Sequence, residues 1–213
     1  MIAGAARGHR LAVPPGRTTR PTSDRVREAL FSSVAAELAG AVVLDLFAGS
    51  GALGIEALSR GAEYAVFVDD DRRAVGAVRG NLASVHLRAR ARVVRAAAAR
   101  FCADPAEALR VDRGRGGPPG PFDLVLADPP YALALPAVLG LLDALAAAGA
   151  LADDALAVVE RERRDPHLDD LAETLGGRPG GFAWLRNRTY GDTVLCYLRR
   201  SPELQPEPAE EPS

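Results

Sequence analysis

The stretch LDLFAGSGALG, from Leu44 to Gly54, decides the fold class of this chain of 213 residues. Its glycines, Gly49, Gly51 and Gly54, form a GxGxxG pattern that follows an apolar run and opens a helical one. Glycine allows a sharp backbone turn and leaves unhindered amides close to a bound cofactor. The stretch therefore predicts a strand, a cofactor-binding loop and a helix in an α/β sheet.

Alternating strand and helix patterns extend through the rest of the chain. Continuous apolar runs separated by helical patterns are typical of parallel βαβ units, and a turn-like segment at 189–192 predicts a final hairpin. We expect a mostly parallel seven-stranded sheet with helices on both faces, although the periodicity also permits other doubly wound folds. The predicted strands are 41–47, 64–68, 91–95, 122–127, 155–161, 182–188 and 193–199; the predicted helices are 23–38, a helix from 52, 72–85, 98–110, 135–147 and 166–175.

Length and composition predict one catalytic domain with short additions at both ends. With 48% hydrophobic residues, the chain can bury one core. We expect a basic N-terminal arm at 1–21, the catalytic domain at 22–200 and a disordered acidic, proline-rich tail at 201–213. No apolar run is long enough to span a membrane and no signal peptide is evident, which indicates a cytoplasmic protein. The two cysteines, Cys102 and Cys196, lack CxxC spacing, so we expect neither a metal site nor a disulfide.

Asp69 is the expected ribose ligand of the predicted cofactor. It lies twenty residues after Gly49, at the end of the second predicted strand. A carboxylate at that place accepts the ribose hydroxyls of an adenosine-containing cofactor, and dinucleotide sites and S-adenosylmethionine (AdoMet) sites share this geometry. The glycine loop and Asp69 therefore indicate a cofactor site but leave NAD and AdoMet open.

Asp45 is a first feature that favours AdoMet. It interrupts an otherwise apolar strand four residues before Gly49. A carboxylate has no role at this place in the dinucleotide fingerprint, but near the strand end it could face the cationic methionine part of AdoMet. The alternative is a polar residue that is hydrogen-bonded within the protein near a strand end.

The tetrapeptide Asp128-Pro129-Pro130-Tyr131 (DPPY) is a second such feature, because it can position an exocyclic amino group. The Asp128 carboxylate and the Pro129 carbonyl are two acceptors at one point, held by consecutive prolines. Two acceptors orient the lone pair of an NH2 group towards a methyl donor, and the Tyr131 ring offers a face for base stacking. We expect an unpaired or flipped-out base. The alternative, a proline-rich turn, explains the prolines but not the acid and the aromatic residue.

Three segments together form a more specific pattern: RPTSDRVREALF at 20–31, LDLFAGSGALGIEALSRGA at 44–62, and DPPY at 128–131. They resemble the bacterial 16S ribosomal RNA guanine-N2 methyltransferases of the RsmD family. The likeness extends from about Ile2 to Arg199. The first segment is specific to the family, whereas the glycine loop is specific only to the class.

The resemblance implies a class I (Rossmann-like) AdoMet-dependent methyltransferase without a metal. It implies transfer of a methyl group to the N2 amino group of a guanine in 16S rRNA, in the assembled or assembling 30S subunit. DPPY would hold the guanine and Asp69 the ribose. The residues that would line AdoMet are Asp45, Phe47, Gly49 and Gly51.

One segment departs from the pattern of related enzymes. Those enzymes often have Asp or Asn after the third strand to meet the adenine amino group, whereas this chain has Arg95-Ala96-Ala97-Ala98. The adenine is therefore expected to meet backbone groups of Ala97 and Ala98.

The N-terminal arginines are expected to contact rRNA phosphates. Residues 1–30 have six arginines against two acidic residues, a balance of +4. Phosphate contacts position a protein on RNA without specifying sequence. A solvated helix face, in which Arg25 and Arg27 are partly paired with Asp24 and Glu28, is an equal alternative for those two. The predicted RNA-binding residues are Arg7, Arg10, Arg20, Arg25 and Arg27.

Three other functions remain open at this point. A DNA methyltransferase acting on adenine N6 or cytosine N4 uses the same tetrapeptide, although the chain has no obvious target-recognition domain. A protein glutamine N5-methyltransferase more typically has Asn in place of Asp128. A NAD-dependent oxidoreductase or a nucleotide-binding module explains the glycine loop and Asp69 but leaves DPPY without a role.

Overall fold

Among the described residues, seven strands form one sheet, and β1 to β5 within it run parallel. The computed structural model describes residues 8–9, 11–13, 24–109, 120–176 and 178–201. The strands are β1 (Val42–Leu46), β2 (Tyr64–Asp69), β3 (Ala91–Arg95), β4 (Phe122–Ala127), β5 (Leu151–Glu162), β6 (Phe182–Tyr190) and β7 (Thr193–Arg200). Their order is β3-β2-β1-β4-β5-β7-β6, and β7 lies antiparallel between β5 and β6. The predicted parallel sheet with a C-terminal hairpin is confirmed.

Helices cover both faces of this sheet, as the sequence predicts. Residues of α1, α2 and α3 contribute to one hydrophobic cluster, and residues of α4, α6 and α7 contribute to the other. Within the described ranges, no helix combines the length and the apolarity needed to cross a membrane. The helices are α1 (Asp24–Ser33), α2 (Ala52–Ser59), α3 (Arg72–Ser84), α4 (Ala98–Ala103), α5 (Ala106–Leu109), α6 (Leu135–Ala147) and α7 (Leu171–Leu175), with short 3-10 turns at Ala35–Glu37 and Arg88–Arg90.

Four predicted elements differ from the structure by more than two residues. The helix predicted at 23–38 ends at Ser33, whose hydroxyl donates to the Leu30 carbonyl. The helix predicted at 98–110 is divided at Pro105, because proline has no N–H to continue the helix. The helix predicted at 166–175 begins only at Leu171, after turns that the Asp165 carboxylate stabilises by accepting the His167 amide. The strand predicted to begin at 155 begins at 151, before a register irregularity.

Asn81 attaches a described part of the N-terminal arm to the glycine loop. Its side-chain oxygen accepts the Ala12 amide at 2.8 Å, and its side-chain nitrogen donates to the carbonyls of Ala12 and Ser50 at 2.9 and 2.8 Å. Asn81 is itself buried in α3. The arm at 11–13 therefore lies against the glycine-loop side of the sheet. The predicted tail from 202, most of the predicted loop at 112–121, and Arg7, Arg10 and Arg20 lie outside the described residues.

Candidate functional site: the carboxyl edge between β1 and β4

The glycine loop and DPPY lie next to each other at the carboxyl edge of the sheet. Leu46, the last residue of β1, pairs with Ala127, the last residue of β4. The next elements diverge, because α2 packs on one face of the sheet and α6 on the other. A crevice forms where neighbouring parallel strands connect to opposite faces, and ligands of open α/β sheets bind there. Two motifs about eighty residues apart are thus joined in one site.

Left-handed backbone conformations make the sharp turn of the glycine loop. Gly49 and Gly51 have φ values of 57° and 78°, which glycine adopts without steric cost. Phe47 has φ 70°, which is unusual for a residue with a side chain and is held by its surroundings. The next amide, that of Ala48, donates to the Val68 carbonyl at 2.9 Å, and the Gly51 amide donates to the Ala48 carbonyl at 2.7 Å. The loop is therefore a tightly bonded turn at the predicted place.

Gly54 is required by the close packing of α2 on the sheet. A Cβ atom there would lie 2.7 Å from Cζ of Phe67 and 3.1 Å from Cβ of Asp45. The Phe67 ring therefore leaves no room for a methyl group at residue 54. The third glycine of the pattern therefore brings the helix close to β1 and β2.

Asp45 is buried beneath the loop, with 1% of its surface exposed. Its Oδ2 accepts the amide of Gly54 in the first turn of α2 at 2.8 Å. Burial raises the pKa of Asp45 to about 8; the Gly54 amide opposes this rise, and the carboxylates of Asp128 and Asp69 add to it. The hydrogen bond to Gly54 is the arrangement expected of a polar residue satisfied within the protein. Contact between the second carboxylate oxygen and the methionine part of AdoMet stays a prediction.

Asp69 connects the glycine loop to the start of α3. Its Oδ2 accepts the Gly49 amide and its Oδ1 accepts the Asp71 amide, both at 2.9 Å. Asp69 is 5% exposed. Each carboxylate oxygen has a further lone pair, so these bonds are compatible with the predicted ribose contact. Its place beside Gly49 was predictable; its bonds to the backbone were not.

The four residues of DPPY differ in their exposure to solvent. Asp128 is half-buried, Pro129 is buried, and Pro130 and Tyr131 are exposed. The Leu133 amide donates to the Pro130 carbonyl at 2.9 Å, which closes a turn after the tetrapeptide. Tyr131 is 36% exposed, so its ring is accessible to a stacking base.

Arg161 supports DPPY from β5, and sequence analysis missed it. Its Nε donates to the Asp165 carboxylate at 2.7 Å, and the two side chains are 3% and 4% exposed. Its Nη2 reaches the Tyr131 carbonyl at 3.4 Å. Nη1 is buried without a hydrogen-bond partner among the described residues. An arginine at the end of an apolar strand, four residues before an acid, was the available signal.

Replacing Arg161 by methionine should lower the free energy of unfolding by about 3–5 kcal/mol, because Asp165 would be left buried without its partner. The double variant Arg161→Met/Asp165→Leu should recover most of this loss, since an apolar pair can replace a buried ion pair. Urea unfolding of both variants measures these values.

The same double variant tests whether the ion pair positions DPPY in addition to stabilising the fold. We expect kcat for the methyl transfer predicted from the sequence to fall roughly tenfold in it, because the Tyr131 carbonyl loses the hydrogen bond that helps to hold DPPY. A stable double variant with the kcat of the wild type would limit the ion pair to a structural role.

The other predicted site residues have different surroundings. Ala97, exposed, precedes α4 without a side-chain hydrogen bond to the helix, and Ala98 is half-buried. Their backbone contacts with adenine stay predictions. Arg25 is exposed, whereas Arg27 is paired with Asp24 at 2.6 Å and its side chain is 11% exposed. Arg27 therefore forms an ion pair with Asp24, which is the alternative to RNA binding that the sequence predicts for this residue.

The charges at this edge favour a cationic ligand group over a diphosphate. In dinucleotide sites the amides at the start of the helix bind the diphosphate. Here the carboxyl group of Asp45 already occupies the Gly54 amide, and the negative charges of Asp69 and Asp128 are close enough to raise the pKa of Asp45. A diphosphate would meet repulsion at this place, whereas a sulfonium or ammonium group would be stabilised.

The raised pKa of Asp45 predicts how stability varies with pH. The pKa rises from 3.8 to about 8 on folding, so the neutral carboxyl favours the folded chain at low pH. This contribution is lost as the pH increases from about 4 through 8. Asp45→Asn, which keeps an acceptor for Gly54, should therefore increase the stability of the ligand-free protein at pH 9 more than at pH 5.

Urea unfolding of the wild type and Asp45→Asn at both pH values measures this difference. An identical stability difference at pH 5 and pH 9 would contradict the assignment of the titration to Asp45.

Comparisons with known proteins agree with this geometry. A family model described as conserved hypothetical protein 95 matches residues 1–199. YlbH of Bacillus subtilis, named as a candidate rRNA methyltransferase, is 39% identical over 202 residues, which cover 94% of this chain and 98% of YlbH. Ribosomal RNA small subunit methyltransferase D of Escherichia coli is 40% identical over 162 residues, covering 76% of this chain and 74% of that protein.

A solved structure extends the likeness to three dimensions. It is that of yhhF from Escherichia coli, named as a candidate methyltransferase. It superposes with a TM-score of 0.71 at 34% identity, covering 94% of this chain and 97% of that chain. Both the family match and this superposition extend over most of the sheet that carries the glycine loop and DPPY.

Proposed function

The chain belongs to the RsmD family of rRNA methyltransferases, and on this premise we propose that it transfers a methyl group from AdoMet to the exocyclic N2 amino group of a guanine in 16S rRNA. The observation that supports this most is the contact of two strand ends, Leu46 and Ala127, because it joins the glycine loop to DPPY. One motif suits a cofactor and the other an amino group.

The chemistry of the side chains supports AdoMet as the cofactor. AdoMet supplies an electrophilic methyl group on a cationic sulfur. Asp69 would accept its ribose hydroxyls beside Gly49, and its negative charge makes this edge of the sheet favourable for a cation. The glycine loop lets the backbone approach the cofactor without side-chain hindrance. Ala97 and Ala98 would meet the adenine through backbone groups.

Asp128 and Pro129 would orient the target amine. An exocyclic NH2 group has two N–H bonds, and the Asp128 carboxylate and the Pro129 carbonyl can each accept one. With both bonds engaged, the nitrogen lone pair is directed at the methyl group, and the Tyr131 ring stacks on the base. This orientation would provide most of the rate acceleration.

A strong general base is not required. As the bond to the methyl carbon forms and the methyl–sulfur bond breaks, leaving a neutral thioether, the amine nitrogen would become cationic and then release a proton readily. Asp128 or water accepts that proton. The Asp128 carboxylate also stabilises the positive charge that develops on the nitrogen.

The substrate is proposed to be the small ribosomal subunit in the cytoplasm, assembled or assembling. A guanine in a duplex would have to leave the stack to reach DPPY, and the exposed Tyr131 face is suited to an extruded or unpaired base. Of the basic residues predicted at the N-terminus, exposed Arg25 is a described candidate for phosphate contacts.

Methyl transfer from labelled AdoMet tests the proposal. The wild type is incubated with undermethylated small subunits, naked 16S rRNA, duplex DNA and total protein, and the modified atom is mapped by mass spectrometry. We expect label at N2 of a guanine in the rRNA. Label in DNA or protein alone would overturn the rRNA assignment.

Titration with AdoMet and NAD in separate experiments tests the cofactor. We expect saturable heat or fluorescence changes with AdoMet and none with NAD at the same concentrations. Binding of NAD without binding of AdoMet would refute the methyltransferase assignment.

A further inference from the structure

A long segment beyond the proposed methylation pocket is basic throughout. Residues 72–103 contain eight arginines and no aspartate or glutamate. The chain has 28 acidic residues, so a uniform distribution would place about four in a segment of this length. The segment comprises α3, β3 and α4, and β3 is an edge strand of the sheet.

Some of these arginines have structural roles. Arg90 donates to the carbonyls of Ala62 and Leu58, and Arg79 donates to the Val93 carbonyl. Arg92, Arg95 and Arg100 gather around one surface cleft. The fold therefore concentrates part of the basic charge at a single place.

This β3–α4 cleft has a volume of about 400 Å³. Its wall includes the apolar residues Val94 and Phe101, and the three arginines surround it. Among the described lining residues, Asp104 is the one acid. The cleft is lined by Arg92, Val93, Val94, Arg95, Ala96, Arg100, Phe101 and Asp104.

The arginines of the cleft differ in their surroundings. Arg95 and Arg100 are exposed, and Arg95 donates from Nε to the Asp70 carbonyl at 3.3 Å. Arg92 is half-buried; burial raises the pKa of Tyr64 and the Arg92 guanidinium opposes this rise, which places Arg92 near the Tyr64 hydroxyl. Arg95 and Arg100 are thus the two that can be changed with little effect on the core.

Protection of the sheet edge does not explain this arrangement. Charged side chains on an edge strand prevent pairing with another chain, but charges of either sign do so. Edge protection requires neither an acid-free segment nor a cleft between the strand and the next helix. Three guanidinium groups around a concave surface are instead typical of phosphate recognition, because the guanidinium fork matches phosphate oxygens.

The cleft is also close enough to the proposed methylation pocket to meet the same polynucleotide. Arg95 pairs in register with Asp69 at the carboxyl edge. Three strand spacings separate β3 from β4, a distance of roughly 14 Å at about 4.8 Å per spacing. An RNA segment with one base at DPPY can therefore extend its backbone to the cleft.

We propose that the β3–α4 cleft is a second RNA-binding site, which binds the sugar–phosphate backbone of the rRNA substrate through Arg92, Arg95 and Arg100. The proposal rests on the proposed function, since it assigns this surface to the same substrate. Its contacts would strengthen and orient binding of the particle without taking part in methyl transfer.

The double variant Arg95→Gln/Arg100→Gln tests the cleft. Its matched control is Arg72→Gln/Arg73→Gln, which removes the same charge from exposed positions of the same segment. These control residues lie on α3, which packs on the opposite face of the sheet from α4. Binding to undermethylated small subunits and to 16S rRNA is measured at several salt concentrations, together with AdoMet affinity, KM and kcat.

We expect the cleft variant to bind RNA roughly tenfold more weakly, with a salt-dependence slope smaller by about 1.5, since each lost phosphate contact lowers the slope by about 0.7–0.9. KM for the particle should rise, while kcat and AdoMet affinity stay within twofold of the wild type. The control should bind as the wild type does.

Several results would overturn the proposal. Unchanged RNA affinity and an unchanged salt dependence in Arg95→Gln/Arg100→Gln would refute the proposed site. An equal loss in the control would assign the effect to total charge, and an equal loss of AdoMet affinity would assign the cleft to the cofactor. Weaker binding of duplex DNA with unchanged binding of rRNA would point to a different nucleic acid.

Failure of the proposed function has a different signature. If the wild type binds rRNA through the cleft but transfers no methyl group to it, the methylation assignment fails and the RNA-binding site stands. If the wild type methylates rRNA and the cleft variant matches it in binding and KM, only the cleft proposal fails. A wild type that neither binds nor methylates rRNA overturns both.

Discussion

Replacing Asp128 by alanine should reduce kcat for methyl transfer by roughly 10²–10³-fold, the usual effect of removing one group that stabilises a transition state. The carboxylate lies at the end of β4 beside the glycine loop, where it would accept a proton of the target amine. Without it, the amine keeps one oriented N–H bond and loses stabilisation of its developing charge. Single-turnover methyl transfer to undermethylated subunits measures the effect.

AdoMet binding provides the control for this variant. Asp128 affects the pKa of Asp45 through its charge and is not a predicted ribose or adenine ligand, so AdoMet affinity should stay within about twofold. Asp128→Asn keeps one acceptor oxygen without the charge, and its kcat should lie between those of alanine and the wild type. Turnover close to the wild type in Asp128→Ala would refute the amine-positioning role.

Asp69→Ala should weaken AdoMet binding by roughly 100-fold or more, since hydrogen bonds from ribose hydroxyls to a buried carboxylate contribute about 1.5–3 kcal/mol each. The same change removes the acceptor of the Gly49 and Asp71 amides, which are bonded to the two carboxylate oxygens. The glycine loop should therefore lose rigidity as well. Calorimetric titration with AdoMet measures the affinity, and urea unfolding measures the stability.

Asp70→Ala is the matched control for this prediction. Asp70 is the next residue and is exposed, so its substitution removes the same charge without touching the loop amides. We expect its AdoMet affinity to remain near that of the wild type. A similar loss of affinity in both variants would assign the effect to overall charge, and the ribose role of Asp69 would fail.

Predictions from sequence succeeded where one residue type has one dominant physical reason for its place. Gly49 and Gly51 adopt left-handed backbone conformations that glycine tolerates best. Gly54 is needed because Phe67 leaves no room for a side chain. Continuous apolar runs became parallel strands, since such strands are buried on both faces.

Predictions failed where a local signal competed with another one. The apolar spacing over 98–110 favoured a single helix, although Pro105 could not continue it. In the segment before α7, the side chain of Asp165 bonds to Arg161 and to the His167 amide, and the backbone turns instead of forming the predicted helix. Pro105 and Asp165 are both visible in the sequence, but the effect of Asp165 depends on its partner Arg161 in β5.

By itself, the sequence determined that both motifs follow strands of a mostly parallel sheet, which places them at the same carboxyl edge. Only the tertiary structure decided that β1 and β4 are neighbours, that Asp45 bonds to Gly54, and that Arg161 supports Tyr131. It also decided that Arg92, Arg95 and Arg100 surround one cleft. The physical reason is that strand order, burial and hydrogen-bond partners depend on packing between segments far apart in the chain, whereas turns and strands depend largely on their own residues.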